Sequence, residues 1–278
     1  MTVLEVVQTT TDYFKKRGIE SPRLNAEHLL AHVLARKRLE LYLEFERPLT
    51  EAELVPLRDL VKRRGQGEPL QHLLGTVEFC GRIFLCDKRA LVPRHETEEL
   101  VEFVKSELGN AESRILDVGT GSGVIAVTLA AQLPEAIVHA VDVSEEALAL
   151  ARENAERLGL AGRIQFMKTD LCDGLNSAFD VVVANLPYIS QQERTGLSRE
   201  VLHDPEIALF GGHSGDELIR RLIDQVRRHL NAGGLLALEI GVGQAEPLAG
   251  FLAQKNYHDI KSKNDYSGMT RFLFARYG

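Results

Sequence analysis

Cysteine is scarce in this 278-residue chain: Cys80, Cys86 and Cys172 are its three, unevenly spaced and without a C-x-x-C pair. That argues against a disulfide framework and against a zinc site, so they read as small core or surface residues and no metal is expected. Apolar runs long enough to span a bilayer are also lacking. The start, MTVLEVVQTTTDYFKKRG, carries Glu5 and Asp12 and lacks the basic-then-apolar layout of a signal peptide, so a cytoplasmic location is expected. Positive charge is in deficit, with 33 Lys and Arg against 40 Asp and Glu and a net charge of -7. This weighs against a protein whose main task is gripping a phosphate backbone, although a local basic patch can sit on an acidic chain. Internal repeats and low-complexity tracts are absent from the sequence.

What is present is the composition of an ordinary globular protein, 44% hydrophobic and 26% charged, with room for one or two cores. The first part reads as helices, one over about Val3 to Arg17 closing at Gly18 and another over about Glu51 to Arg64. Between them SPRLNAEHLLAHVLARK places Ala26, Leu29, Leu30 and Val33 on one face, with Ser21 as expected N-cap and Pro22 at the first helical position. The charges of both signs on these helices are expected on solvated faces. From Pro69 short β-rich pieces and a turn at Gly81 predict a hairpin connector. The expected organisation is a helical domain over 1–68, a connector over 69–90 and a catalytic domain over 91–278.

After Arg114, apolar strands alternate with helices: RILDVG, SGVIAVTLAAQL, AIVHAVDV, SEEALALARENAERLGL, RIQFMKTD, DVVVAN, a helix near 215–230, then GLLALEI. This alternation predicts an α/β fold, a mostly parallel Rossmann-like sheet covered on both faces. The C-terminal stretch leaves no room for a crossover helix between its strands, so an antiparallel pair is expected at one sheet edge.

LDVGTGSGVIAV joins a strand to a helix through Gly119, Thr120, Gly121, Ser122 and Gly123. Glycines let the backbone turn sharply and approach a ligand, and the helix N-terminus offers unpaired N–H groups. The spacing is G-x-G-x-G, with Val124 where a dinucleotide fingerprint has its last glycine, so an NAD enzyme is the lesser reading. Asp142, about twenty residues on, can accept hydrogen bonds from both ribose hydroxyls of an adenosine-containing cofactor. After the third strand, Asp170 can bond an adenine amino group and Leu171 can cover the ring. The three strand ends together suit S-adenosylmethionine (AdoMet).

The fourth strand ends in Asn185-Leu186-Pro187-Tyr188, on the same edge. Methyl transfer from a sulfonium is an in-line displacement, and a planar NH₂ group must be held with its nitrogen toward the methyl. The Asn185 side-chain oxygen can accept one N–H, a main-chain carbonyl just after it the other, and Tyr188 can stack on the plane. Acceptors so placed favour the more pyramidal transition state of a weakly nucleophilic amide. Pro187 holds Leu186 extended.

With these residues in view, the chain resembles the release-factor glutamine methyltransferases, the HemK/PrmC family, over nearly its whole length. RLNAEHLLAHVL is similar to the family's N-terminal helix. GEPLQHLLGTVEFCGRIFLCDKRALVPRHETEELVE is similar to its connector and PRPETE segment. LDVGTGSGVIAVTLA, VDVSEEALALARENA, NLPYI, DPEIALFGGHSGDELIRRLI, LALEIGVGQ and DYSGMTRFLFAR follow in the family's order. The resemblance implies N5-methylation of the glutamine in the Gly-Gly-Gln loop of class I peptide-chain release factors, with AdoMet as donor. It implies that Gly119 through Gly123 and Asp142 bind AdoMet, with Leu171 by the adenine. It also implies that Asn185, Leu186, Pro187 and Tyr188 hold the glutamine, Asn185 and Tyr188 as catalytic residues and Asn185 also facing the cofactor. The helical domain is then expected to help recognise the protein partner.

Two positions depart from the family pattern, Leu186 for the first proline of Asn-Pro-Pro-Tyr and His95 for the second proline of PRPETE. NLPY also resembles the motif of rRNA adenine-N6 dimethyltransferases, whose target is likewise a flat NH₂ group. In those enzymes the methyltransferase domain precedes the helical one; here the helices come first, and the acidic charge suits a protein substrate. Stable nucleic-acid binding is therefore not expected, and RNA-base methylation stands as the alternative. A non-catalytic AdoMet-fold binding protein would require damaged cofactor residues, and none is evident.

Overall fold

Thr2 starts the first helix by a reciprocal cap: its hydroxyl accepts from the Glu5 N–H at 3.3 Å, and the Glu5 carboxylate accepts from the Thr2 N–H at 2.8 Å. Helix α1 (Val3–Lys16) ends before Gly18, whose φ of +72° is the left-handed turn a glycine allows. Helices α2 (Pro22–Val33), α3 (Glu51–Gly65) and α4 (Leu70–Leu74) follow in this computed structural model, which describes residues 1–109 and 112–278. Val3, Val7, Phe14, Leu29 and Leu30 are the centre of their shared apolar cluster. These helices form one unit, Met1–Thr76 with Ser198–His203; the other is Val77–Leu197 with Asp204–Gly278.

Two expectations for the helical unit need correction. Ser21 occupies the N-cap position of α2, but at φ +45° its side chain makes no capping bond. Asn25 reaches back instead, its Nδ2 donating to the Glu20 and Ser21 carbonyls at 3.0 and 3.2 Å. Nor are all the charges solvated. Glu27, 2% exposed, accepts from Arg23, Arg38 and Tyr42, and the buried Arg64 donates to Asn25 Oδ1 and to the Glu200 carboxylate. Buried charges persist because each is paired and hydrogen-bonded.

The connector holds the expected hairpin, β1 (Thr76–Phe79) and β2 (Arg82–Leu85), turning at Cys80 and Gly81 with φ of +46° and +71°. Its first residues are helical, as α4. Helix α5 (His95–Leu108) leads into the alternating region. This comprises β3 (Arg114–Val118), α6 (Val124–Gln132), β4 (Ile137–Asp142), α7 (Glu145–Arg157), β5 (Ile164–Lys168) and β6 (Phe179–Asn185). The short strands β7 (Ile189–Ser190) and β8 (Phe210–Gly212) come next, then α8 (Glu217–Val226), β9 (Leu230–Glu239), α9 (Ala245–Ala253), β10 (Tyr257–Asn264) and β11 (Thr270–Tyr277).

Seven strands pair in the order β10-β11-β9-β6-β3-β4-β5. The five from β9 to β5 run parallel, and β11 is antiparallel to both β9 and β10, the edge pair the sequence predicts. Side-chain alternation divides the core. Ile115, Val181, Val183, Leu235 and Phe272 face the cluster under α5 and α6, while Leu116, Val182, Leu236 and Leu273 face the cluster under α8 and α9. Strand order reverses between β3 and β6, and a crevice opens at the carboxyl ends of strands on either side of such a reversal. Among the described residues no helix is long and apolar enough to cross a membrane.

Candidate active site

The glycine loop leaves β3 on one side of that crevice and the NLPY segment leaves β6 on the other. Between them lies a mostly apolar cavity of about 330 Å³, walled by Gly119, Thr120, Gly121, Ser122, Asp142, Asp170, Leu171, Asn185, Leu186 and Pro187, with Arg94 and Thr97 from the start of α5. Most of the expected site residues thus meet around one cavity. Gly123 and Tyr188 are not part of it.

Each glycine of the loop has a separate reason to be one. Gly119 sits at φ +72°, where a Cβ would also lie 2.8 Å from the Leu186 side chain. Gly121, at φ +56°, lines the cavity, and a Cβ there would touch the Ala90 side chain at 3.9 Å, so its left-handed backbone rather than crowding is its reason. Gly123, at φ +82°, lies so close to α7 that a Cβ would meet the Ala151 Cβ at 2.9 Å and its Cα at 3.1 Å. The loop hangs on β4 through the Gly119 and Thr120 N–H groups, which donate to the Val141 carbonyl at 2.9 and 3.0 Å.

Asp142 accepts from the Gly121 N–H at one oxygen and from the Ser144 N–H at the other, both at 2.9 Å. Burial raises its pKa, and those backbone donors oppose the rise. A carboxylate has about four lone-pair sites, so Asp142 keeps capacity for two hydroxyl donors. Asp170 is half-exposed and accepts from Arg221 at 2.8 Å, while Leu171 is buried at φ +54°. An apolar cavity with an acid at each of two strand ends, beside a glycine loop that leaves room for a ligand, fits an adenosine-containing cofactor.

Asn185 donates its Nδ2 to the Thr97 hydroxyl at 3.0 Å. Leu186 is buried, its side chain filling the space over Gly119. The half-buried Tyr188 packs against the α8–α9 side of the core, and burial pushes its phenol up to about 12. Its carbonyl accepts from Gln244 at 3.0 Å. A glycine-rich loop presses against this segment: a Cβ on Gly211 would lie 2.3 Å from the Pro187 carbonyl oxygen, and one on Gly215 would lie 2.4 Å from that of Tyr188. His95 opens α5 with its side chain in solvent, 3.6 Å from Glu98. Among the described residues no group of three or more His, Cys, Asp or Glu side chains is placed to hold a metal ion.

With this geometry, comparison with known proteins is specific. The PrmC N-terminal domain model matches residues 5–75, and the methyltransferase small domain model matches 95–213. A release factor glutamine methyltransferase from Geobacter sulfurreducens is 40% identical over 100% of this chain and 97% of its own. One from Rhodopirellula baltica is 42% identical over 98% and 95%. The chain belongs to the release factor glutamine methyltransferase family. Solved structures add the fold. The hMettl16 catalytic domain aligns at a TM-score of 0.59 with 16% identity, covering 82% of this chain and 83% of its own. A methyltransferase from Pyrococcus furiosus aligns at 0.52 with 19% identity, covering 70% and 88%.

In this release factor glutamine methyltransferase family member, the sequence reading passed over three residues at the site. Thr97 and Glu239 stand behind Asn185, and Asp117 lies fully buried beneath the glycine loop, accepting from the Thr120 hydroxyl at 2.6 Å and the Ala126 N–H at 3.1 Å. Glu239 had a signal, since a carboxylate closing the apolar run LLALE repeats the pattern of Asp142. Asp117, a charge inside RILDVG, had one too. Thr97 lies in the segment similar to PRPETE, but its role was not readable there, because its partner Glu239 lies 142 positions away.

Proposed function

We propose that the protein transfers the methyl group of AdoMet to the side-chain N5 of the glutamine in the Gly-Gly-Gln motif of class I peptide-chain release factors. The observation that carries this reading is that the NLPY segment and the glycine loop face each other across one cavity, with the Asn185 NH₂ bonded to Thr97. AdoMet supplies an electrophilic methyl group on a sulfonium. The residues of the chain hold and orient around it: Gly119 to Gly123 and Asp142 take the cofactor, Asp170 and Leu171 its adenine.

Asn185 Oδ1 accepts one N–H of the substrate amide, and a main-chain carbonyl just after Asn185 accepts the other. The nitrogen is thereby turned toward the methyl, and the pair of acceptors stabilises charge as the nitrogen becomes pyramidal. Tyr188 packs on the core beside the cavity in this structure, and its stacking on the amide belongs to the substrate-bound state of this reading. Leu186 can serve as well as proline where only its carbonyl is used. The domain assignment belongs to the same reading, with 1–68 as a helical domain for the protein partner, 69–90 as connector and 91–278 as the methyltransferase domain. The cytoplasm, where release factors work, is the expected location.

The test is methyl transfer from labelled AdoMet to a class I release factor, to the same factor with Gln→Ala at its tripeptide, and to ribosomal RNA. Labelling of the intact factor alone is expected. Undiminished labelling of the Gln→Ala factor, or labelling of RNA in its place, contradicts the reading.

A further inference from the structure

Behind the cavity wall, three polar side chains form a line. Asn185 Nδ2 donates to Thr97 Oγ1 at 3.0 Å, and Thr97 Oγ1 donates to Glu239 Oε2 at 2.8 Å. Thr97 is 3% exposed and Glu239 2%, so water does not substitute for either partner. The strand register builds the line: Asn185 and Glu239 are partners at the carboxyl ends of β6 and β9, and Thr97 reaches both from the first turn of α5.

The chemistry of the three groups fixes a direction. An ionised carboxylate only accepts, and a hydroxyl has one proton to give. With that proton committed to Glu239, Thr97 can only accept from Asn185. The amide must then turn its NH₂ to Thr97, leaving Oδ1 on its other branch, in a residue that is itself part of the cavity wall.

We propose that Thr97 and Glu239 are positioning residues for the methyl transfer, forming an orientation lock that holds Asn185 with Oδ1 presented to the substrate amide. The inference rests on the function proposed above. Without the lock the amide can turn over and offer NH₂ to a substrate that itself offers NH₂, and two donors repel. Protonation of Glu239 releases the lock, because the carboxyl then donates to Thr97 and frees the threonine proton for Asn185. Burial and the neighbouring Glu96 push the Glu239 carboxyl up to about 7, against Thr97, Arg271 and Asn185, which favour the anion. Tyr188, pushed up to about 12, also faces Glu239 but stays neutral in this range.

The experiment compares the wild type with Thr97→Val, Thr97→Ser and Glu239→Gln. It measures kcat and KM with a release factor, AdoMet affinity by calorimetry, and the side-chain amide resonance of Asn185 by NMR. Thr97→Val is expected to lower kcat about tenfold to a hundredfold through misorientation, with AdoMet affinity unchanged. Thr97→Ser, which keeps the hydroxyl, is expected to stay within about threefold. In the wild type, kcat should rise and the Asn185 resonance should move as pH passes about 7. Glu239→Gln, an amide that both donates and accepts, should lose that acid limb. Equal damage from Thr97→Ser and Thr97→Val, or full kcat in Thr97→Val, overturns the proposal. Should both threonine variants fail to fold, an acid limb that survives Glu239→Gln overturns it alone. A wild type that methylates no release factor rejects the proposed function instead, while the pH response of the Asn185 resonance still reports on the lock.

Discussion

Asp117 is a carboxyl group placed where a charge is costly. It is fully buried, with Thr120 and Ala126 both donating to one oxygen and no hydrogen-bond partner for the other among the described residues. Burial, aided by repulsion from Asp142, pushes it up to about 7 from an unfolded value near 3.8. The folded state therefore binds this proton more tightly than the unfolded state. Its contribution to stability is fully present below about 4 and is lost as pH rises toward about 7. Asp117→Asn keeps an oxygen for both donors and removes the charge. Denaturant unfolding across this range should show a flatter pH dependence, with a residual slope from Glu239, which has the same sign; an unchanged slope contradicts the assignment. At Asn185 the expected loss is of function alone. Asn185→Ala should lower methyl transfer by about a hundredfold to a thousandfold while largely preserving AdoMet binding by calorimetry, the cost typical of removing one positioned group. Comparable loss of both would show that its main role is with the cofactor.

At the scale of elements, glycines set how closely the pieces approach. Gly123 brings α7 against the start of α6, and Gly123→Ala would drive a Cβ into the Ala151 backbone at positive φ. A loss of about 1–3 kcal/mol in unfolding free energy is expected, with weaker AdoMet binding, measured by denaturation and calorimetry. Leu186→Pro probes the turn after β6. If position 186 serves through its carbonyl, activity in the same transfer assay should stay within about tenfold; a dead enzyme refutes that role. The strands and most helices were legible because apolar periodicity and glycine punctuation are local. Helix α9 was missed because Pro247 and Gly250 interrupt its pattern, and it forms through burial of Leu248 and Leu252. Ser21 stands at the N-cap position as expected but makes no capping bond at its positive φ, and Asn25, one turn on, ties the entry to the helix by donating to the Glu20 and Ser21 carbonyls. The mutual support of Asn185, Thr97 and Glu239 was illegible in principle, since sequence shows residue types and spacing but not which strand ends become neighbours.

For the whole molecule, the order of parts carried more than any single motif. NLPY alone does not distinguish a glutamine amide from an adenine amine; a helical region ahead of the methyltransferase domain does, and the family relationship agrees with it. The fold then explains why the motif and the cofactor loop, more than sixty positions apart in the chain, share one cavity: they leave neighbouring strands at the point where strand order reverses. The most direct test of the central claim is to treat a class I release factor with the enzyme and AdoMet and locate the added methyl by peptide mass spectrometry. One methyl group is expected, on the side-chain nitrogen of the glutamine in Gly-Gly-Gln, and none when Asn185 is alanine. A methyl group on any other residue, or none on a factor whose glutamine is exposed, would contradict it.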